Sequence, residues 1–230
     1  MNCVILQPSY IPWRGYFHQI QKADVFVFYD DVQYDKHGWR NRNRIKTAQG
    51  SQWLTIPVLK RGNVEECREI REIEIAWDRP WNRKHLATIT HSYRKAPCFD
   101  WLCPLLDKWY SQTPAMLADF TIAATIELAG CLGLRNTRFV RSSELKIPGY
   151  RSDRLIDIVK AVGCDRYVTG PAAQDYLEED KFREAGIALE YIEYKYPEYP
   201  QLYPSFDPQM SILDLLMMTG KDAPRYIWAF

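Results

Sequence analysis

The sequence predicts an α/β domain built on a mostly parallel sheet with an inserted helical lobe. Three observations carry that expectation. A short apolar run, Val4-Ile-Leu6, and a β-branched, aromatic run, Asp24-Val-Phe-Val-Phe-Tyr29, flank one short helical stretch. Their spacing leaves the roughly dozen residues that a crossover between parallel strands needs. Helical periodicity then fills residues 80 to 135, after which strands and helices alternate again.

Taken in order, Val4 to Leu6 reads as a buried strand that stops at Gln7-Pro8, and Pro12 and Gly15 punctuate the loop beyond it. A short helix from Tyr16 to Lys22 leads to the strand ending in Asp30 and Asp31, which completes a βαβ unit with a right-handed crossover. Lys36 to Lys46 is too polar for core. Trp53-Leu-Thr-Ile-Pro-Val58 and Ile70-Arg-Glu-Ile-Glu-Ile75 read as strands. Trp81 to Tyr93, Trp101 to Tyr110 and Pro114 to Leu132 repeat apolar residues at three and four, with prolines near the breaks. Thr137 to Val140 is a strand, Ser152-Asp153 caps a helix through Val162, Asp165 to Thr169 is a strand, a helix opens near Ala172, and Ile187 to Ile192 is a last strand. Met210 to Met217 is a helix in which Ser211 and Asp214 form an S-x-x-D capping box. One domain over residues 1–230, with the helical lobe at about 80–135, accounts for the pattern.

Composition narrows the function classes. Thirty Lys and Arg against twenty-nine Asp and Glu leave a formal charge of +1, so no sign excess points to nucleic acid. Six cysteines without a secretory leader indicate reduced thiols in the cytoplasm. No apolar run reaches the roughly 20 residues of a membrane span. Cys98 and Cys103 lack a second ligand pair, and His85 and His91 miss the i, i+4 spacing of a shared metal, so no metal site is expected. Aromatic content is high, at 14%.

Four clusters stand out as candidate chemistry. The loop Gln7-Pro-Ser-Tyr-Ile-Pro-Trp-Arg-Gly15 joins a buried strand to a helix, the place where open parallel sheets meet ligands. There Arg14 suits a phosphate or carboxylate, Gly15 permits close backbone approach, and Tyr10 and Trp13 offer flat walls for a base or sugar. GxGxxG and GxxxxGK[ST] are both absent, and a rigid packing loop is the alternative reading. Asp30 and Asp31 end the second strand, where one carboxylate can take a ribose hydroxyl, an amine or a cation; turn-capping acids are the alternative. Arg40, Arg42 and Arg44 alternate with Asn41 and Asn43 after Trp39, and an extended chain places the three guanidiniums on one face, able to clamp a diphosphate. A solvated turn, or contact with an RNA backbone, are the competing readings. Thr169-Gly170-Pro171 repeats the strand-turn-helix logic and offers a second anion contact. Among possible bases, His18 lies one turn into the first helix and His85 on the first lobe helix, each titrating near pH ~6.5 if unperturbed.

Together, Gln7 to Phe17, Ala23 to Gln33, Trp39 to Lys46, Trp53 to Pro57, His85, Tyr93-Arg-Lys-Ala-Pro97, Thr169 to Pro171 and Ser211 to Leu216 with Gly220 resemble the WbqC-like family over nearly the whole chain. That resemblance implies a place in bacterial surface-polysaccharide and O-antigen (lipopolysaccharide) biosynthesis. Residues 4 to 31 are also similar to the opening of HUP-type nucleotidyltransferases, which implies a Rossmann-like fold. Pro12-Trp-Arg-Gly-Tyr16 stands where that group carries its H-x-G-H motif, so its adenylation chemistry is not carried over.

The expected function is a cytoplasmic transferase acting on a nucleotide-linked amino sugar and placing an acyl or aminoacyl group, such as glycyl, on its amine. Gln7, Arg14, Asp31, Arg40, Asn41, Arg42, Arg44, Thr169 and Gly170 would bind the substrate, with Tyr10, Trp13, Gly15 and Trp39 shaping the wall. His18, His85 or Asp30 would take the amine proton. No resident cofactor is expected beyond a thioester donor, for which a carrier protein is a candidate partner, and a homo-oligomer is open. Glycosyl or nucleotidyl transfer at the same site, or sugar-nucleotide binding without turnover, are the alternatives.

Overall fold

A computed structural model describes residues 1–59 and 67–228. Its centre is a five-stranded sheet of β1 (Asn2–Leu6), β2 (Val25–Phe28), β5 (Arg138–Arg141), β6 (Arg166–Thr169) and β7 (Ala188–Tyr191), in the order β5-β2-β1-β6-β7. Every pairing in it is parallel. This is a Rossmann-like α/β fold, as the alternating strands and helices predict.

The period of two along each strand sorts the core into two layers. Val4, Phe26, Phe28 and Val168 face α1 (Arg14–Lys22), the lobe helices and the C-terminal helix α8 (Ile212–Thr219). Cys3, Ile5, Val25, Val27 and Tyr167 face the opposite layer, formed by α6 (Arg151–Ala161) and α7 (Glu179–Glu184). Cys3, Val4, Ile5 and all of β2 are buried, as parallel strands covered on both faces require. The chain passes from β1 to β2 on one side and returns as β6 on the other. The C-terminal edge between β1 and β6 is therefore where strand order switches, the place at which an open parallel sheet leaves a crevice.

Between β2 and β5 the chain forms an antiparallel hairpin, β3 (Arg42–Thr47) with β4 (Gly50–Thr55), and then α2 (Trp81–Tyr93), α3 (Phe99–Ser111) and α4 (Leu117–Cys131). Gly50 sits at φ 107, a conformation that favours glycine, where β4 begins. A single apolar layer runs from the sheet through the hairpin into these helices.

Several local expectations are corrected. Ile70 to Ile75 is not a strand: Ile70–Glu72 form a 3-10 turn whose ends Glu69 and Glu72 cap one another, and only isolated bridges follow. Helix α6 opens at Arg151, not with a Ser152 cap; the Ser152 hydroxyl instead accepts the Glu178 N–H. The turn after β6 is 3-10, over Pro171–Asp175. Ser211 and Asp214 form no capping box. Asp214 is fully buried and accepts hydrogen bonds from Tyr93 Oη, Tyr199 Oη and Gln201 Nε2, each at 2.7 Å. Alternation along residues 40 to 44 does not hold either. Arg42 and Arg44 share one face of β3, whereas Arg40 precedes the strand and turns elsewhere.

The end of β2 is fixed by ionic contacts. Asp30 is completely buried; its carboxylate accepts Arg141 Nε at 2.7 Å, the Ser143 N–H at 3.1 Å and the Ser143 hydroxyl at 3.0 Å. Asp31 pairs with Arg154 Nη2 at 2.5 Å and accepts the Ser142 hydroxyl. Arg141 and Ser142 lie where β5 meets α5 (Ser142–Leu145), and Arg154 lies in the first turns of α6. The two carboxylates thus tie β2 to the elements that carry the far wall of the crevice. Removing one partner of a buried pair leaves an uncompensated charge at a cost of about 3–5 kcal/mol. Arg141→Ala leaves the fully buried Asp30 carboxylate without its cation and is expected to lower the unfolding free energy in urea by about that amount, while a loss below about 1 kcal/mol would show that the contact holds nothing in place.

Candidate functional site

A cavity of about 690 Å³ occupies the switch-point crevice. The end of β1 and its loop supply Ile5, Leu6, Gln7, Ser9 and Pro12; α1 and its entry supply Trp13, Tyr16 and Gln19. Opposite them are Tyr29 after β2, Arg151 and Leu155 of α6, Tyr167 of β6 and Tyr176. Trp39, Arg40, Asn43 and Gln209 close a further side.

Charge in this lining is one-sided: the two arginines are its only ionic side chains, with no carboxylate, lysine or imidazole among the described residues. Arg40 is largely enclosed, with its side chain 12% exposed. Its Nη1 donates to the Pro8 carbonyl at 3.3 Å. Its Nε approaches Asp35, which is half exposed, at 3.4 Å without a hydrogen bond. Burial pulls the Arg40 pKa down against the opposing effect of its ion-pair partner Asp35 and of Tyr16 and Tyr34, and the guanidinium stays protonated. Arg151 has φ 52, outside the ordinary range for a residue with a Cβ, and follows Gly149 at φ 109. It opens α6, and no side chain caps that helix or α1. Uncapped N-termini add partial positive charge on both sides of the crevice.

The walls are aromatic and braced from behind. A Cβ on Gly15 would lie 2.3 Å from the Trp13 ring, so only glycine lets that indole fold over the start of α1. Trp13 packs edge-on against Tyr194, with centroids 5.1 Å apart, and Tyr194 Oη accepts Gln19 Nε2 at 2.7 Å. Gly170 makes room for the same phenol, which a Cβ would meet at 2.7 Å. Asn43 Nδ2 donates to the carbonyls of Tyr10 and Ile11 and so holds the loop in which Ile11 adopts φ 38. On the far wall, Arg154 donates to Ile147 O and lies over the Tyr29 ring at 5.0 Å. Gln19 is 6% exposed and its Oε1 has no partner, which leaves one buried acceptor at the cavity.

Residues 7–226 match the WbqC-like protein family. The chain belongs to that family. It is also similar to the uncharacterized protein Rv1507c of Mycobacterium tuberculosis, with 37% identity over 228 residues that cover 97% of this chain and 96% of that protein. No solved structure matches it significantly. Among the described residues, no helix is long and apolar enough to cross a membrane, and no group of three His, Cys, Asp or Glu is placed to hold a metal ion.

In this WbqC-like protein the residues predicted from sequence divide cleanly. Gln7, Trp13, Trp39 and Arg40 line the cavity. Gly15, Asp31, Gly170 and Asn41 support it from behind, Asn41 by donating to the Ile56 carbonyl; Thr169 is buried beside Gly170. Arg14 is spent on the C-terminal segment, donating to the carbonyls of Pro197 and Tyr226 beneath the rings of Tyr196 and Tyr199. Arg42 and Arg44 stack on Trp53 outside the cavity. Asp30 is saturated, and neither histidine reaches the lining. His18 Nδ1 contacts Tyr196 Oη at 3.0 Å, and its pKa is lowered by burial and by Lys22. His85 Nδ1 meets Tyr10 Oη at 2.9 Å among Trp81, Tyr110 and Phe120, while Tyr10 Oη also bonds Tyr110. Sequence reading missed Arg151, Gln19, Gln209 and the tyrosines at 167 and 176. Tyr167 lies within a predicted strand, but no local motif marks any of the five as a ligand contact.

Burial lowers the His85 pKa from 6.5 to about 4, with a hydrogen bond to the Thr55 backbone opposing. The folded protein keeps this ring neutral where the unfolded chain, with a pKa near 6.5, takes up a proton. The associated stability is therefore full above pH ~6.5 and is lost as pH falls toward 4, by about 3 kcal/mol at ~1.4 kcal/mol per pKa unit. Urea unfolding of His85→Gln between pH 7 and 4 is expected to show a decline smaller than that of the parent by about this amount. Equal declines would place the ring in contact with solvent.

Proposed function

We propose that this chain binds a nucleotide-linked amino sugar in the switch-point cavity and acts in bacterial surface-glycan biosynthesis as a transferase. It places an acyl or aminoacyl group such as glycyl, taken from a thioester donor, on the sugar amine. One observation carries the ligand class. An enclosed Arg40, whose ion-pair partner Asp35 is half exposed and outside the lining, shares an aromatic-walled cavity with Arg151 and with no carboxylate in that lining among the described residues. Two guanidiniums suit the oxygens of a diphosphate, and flat walls suit a base and a sugar face. The volume lies within the range of small-ligand sites, ~300–1,000 Å³.

The same lining bears on the chemistry. The amine nitrogen attacks the thioester carbonyl, the carbon–sulfur bond breaks, and the departing thiolate takes up the proton the amine releases. Amide and thiol are the products, and the proton needs no protein base. That fits a cavity into which neither His18, His85 nor Asp30 projects. Binding without turnover is the second reading, favoured by the same lack of a carboxylate, lysine or imidazole in the lining among the described residues. Glycosyl or nucleotidyl transfer gains no support from a lining without a carboxylate.

Calorimetry with a panel of uridine- and thymidine-diphosphate amino sugars tests the ligand, and mass detection of an acylated sugar nucleotide after addition of glycyl thioesters tests the transfer. Arg40→Ala is expected to weaken binding by roughly ten- to a hundredfold, the worth of a hydrogen bond to a charged group. Gly15→Ala displaces Trp13 and weakens it by a smaller factor. Product formation supports transfer; binding with no product supports the second reading. A folded protein that binds none of the panel contradicts both.

A further inference from the structure

Outside the cavity, the β3–β4 hairpin carries an arginine–tryptophan stack with no role in the fold's core. Arg44 faces Trp53 across the ladder and Arg42 faces Thr55, so both guanidiniums lie along one side of the hairpin. Their charged carbons sit 4.7 Å (Arg42) and 5.5 Å (Arg44) from the Trp53 ring centroid. Trp39 packs on the other indole with centroids 5.3 Å apart, and the two tryptophans are 42% and 44% exposed. Arg42 donates to the His37 carbonyl and Arg44 to Gln209 Oε1. Neither arginine forms an ion pair among the described residues, and the Nε of each has no partner. Trp39 and Gln209 also line the cavity, so this face runs without a break into its mouth.

We propose that this face is the docking surface for an acidic carrier protein that presents the donor thioester to the cavity, an inference that rests on the transfer reading above. Exposed tryptophan beside arginine is the composition of a binding hot spot. Two uncompensated cations call for a partner with carboxylates. A second copy of this chain, placed by a two-fold axis, would bring the same two cations against these and repel. A thioester on a long flexible arm, held by a protein seated here, enters past Trp39 and Gln209 and meets the bound sugar amine inside. The arrangement also explains why Arg42 and Arg44 carry charge at the cavity's edge without lining it.

Titration calorimetry with acidic acyl carrier proteins bearing phosphopantetheine tests this directly, at low and at high salt, alongside the sugar-nucleotide panel. The expected result is binding that weakens at least tenfold at high salt. Arg42→Glu/Arg44→Glu is expected to abolish it, with sugar-nucleotide affinity kept within twofold. Arg42→Gln/Arg44→Gln keeps the hairpin's polarity and is expected to lose carrier binding at least tenfold, which separates docking from misfolding. Carrier binding that is absent in the parent, or unchanged in both variants, overturns the proposal, as does self-association through this face in sedimentation. Carrier binding without sugar-nucleotide binding would instead break the ligand reading and leave the docking surface standing.

Discussion

Two adjacent carboxylates at the end of β2 set the geometry on which the crevice depends. Asp30 is held by Arg141 and Ser143, and Asp31 by Arg154 and Ser142, so a central strand is fastened to β5, α5 and the start of α6 at one point. Arg154 also fixes the Ile147 carbonyl and underlies Tyr29, which places the loop before α6 and one aromatic wall together. Acids that look like site residues are therefore consumed by the frame. Their neutralisation away from the cavity leaves Arg40 and Arg151 as its only ionic groups among the described residues. A negatively charged ligand is what that imbalance favours.

Opposite this ionic wall, the α1 side is organised by space. Gly15 and Gly170 are the two positions where a missing side chain admits a ring, one for Trp13 and the other for Tyr194. Tyr194 in turn braces Trp13 and holds the Gln19 amide. Farther back, Tyr10, His85 and Tyr110 form a buried polar contact within the aromatic packing of the lobe, and Asp214 gathers Tyr93, Tyr199 and Gln201. These networks give the high aromatic content two separate uses. Some rings fill the core between sheet and lobe, and others remain at the cavity and exposed on the hairpin.

The layered α/β core was legible in the sequence because its central strands β1 and β2 are short apolar runs covered on both faces and α2 and α3 bury residues three and four apart. Strand-period reading failed at Ile70 to Ile75, where alternation reflects a 3-10 turn and irregular chain packed by Ile70, Ile73 and Ile75 on one side. It failed also at Arg40, since alternation in sequence means a shared face only where the chain is extended, and β3 begins two residues later. Strand-to-helix logic marks the entry loop as a candidate position, and Gln7, Trp13, Trp39 and Arg40 line one cavity beside it. What pattern cannot supply is which of several identical residue types is already engaged. Arg14 and Arg154 serve backbone carbonyls and buried acids while Arg151 stands at the cavity, and the partners that decide this lie more than a hundred residues away in the chain for both Arg14 and Arg154.

The proposed function turns on a diphosphate-linked sugar in the β1–β6 crevice with its phosphates on Arg40. A crystal structure of the protein soaked with a uridine-diphosphate amino sugar tests it most directly. The expected density places phosphate oxygens within hydrogen-bond reach of the Arg40 and Arg151 guanidiniums, with base or sugar against the Trp13 and Tyr29 walls and the amine toward Trp39. Ordered ligand elsewhere, for instance in the smaller polar depression beside Gln21 and Arg135, or in the crevice with its phosphates turned away from Arg40, would contradict it.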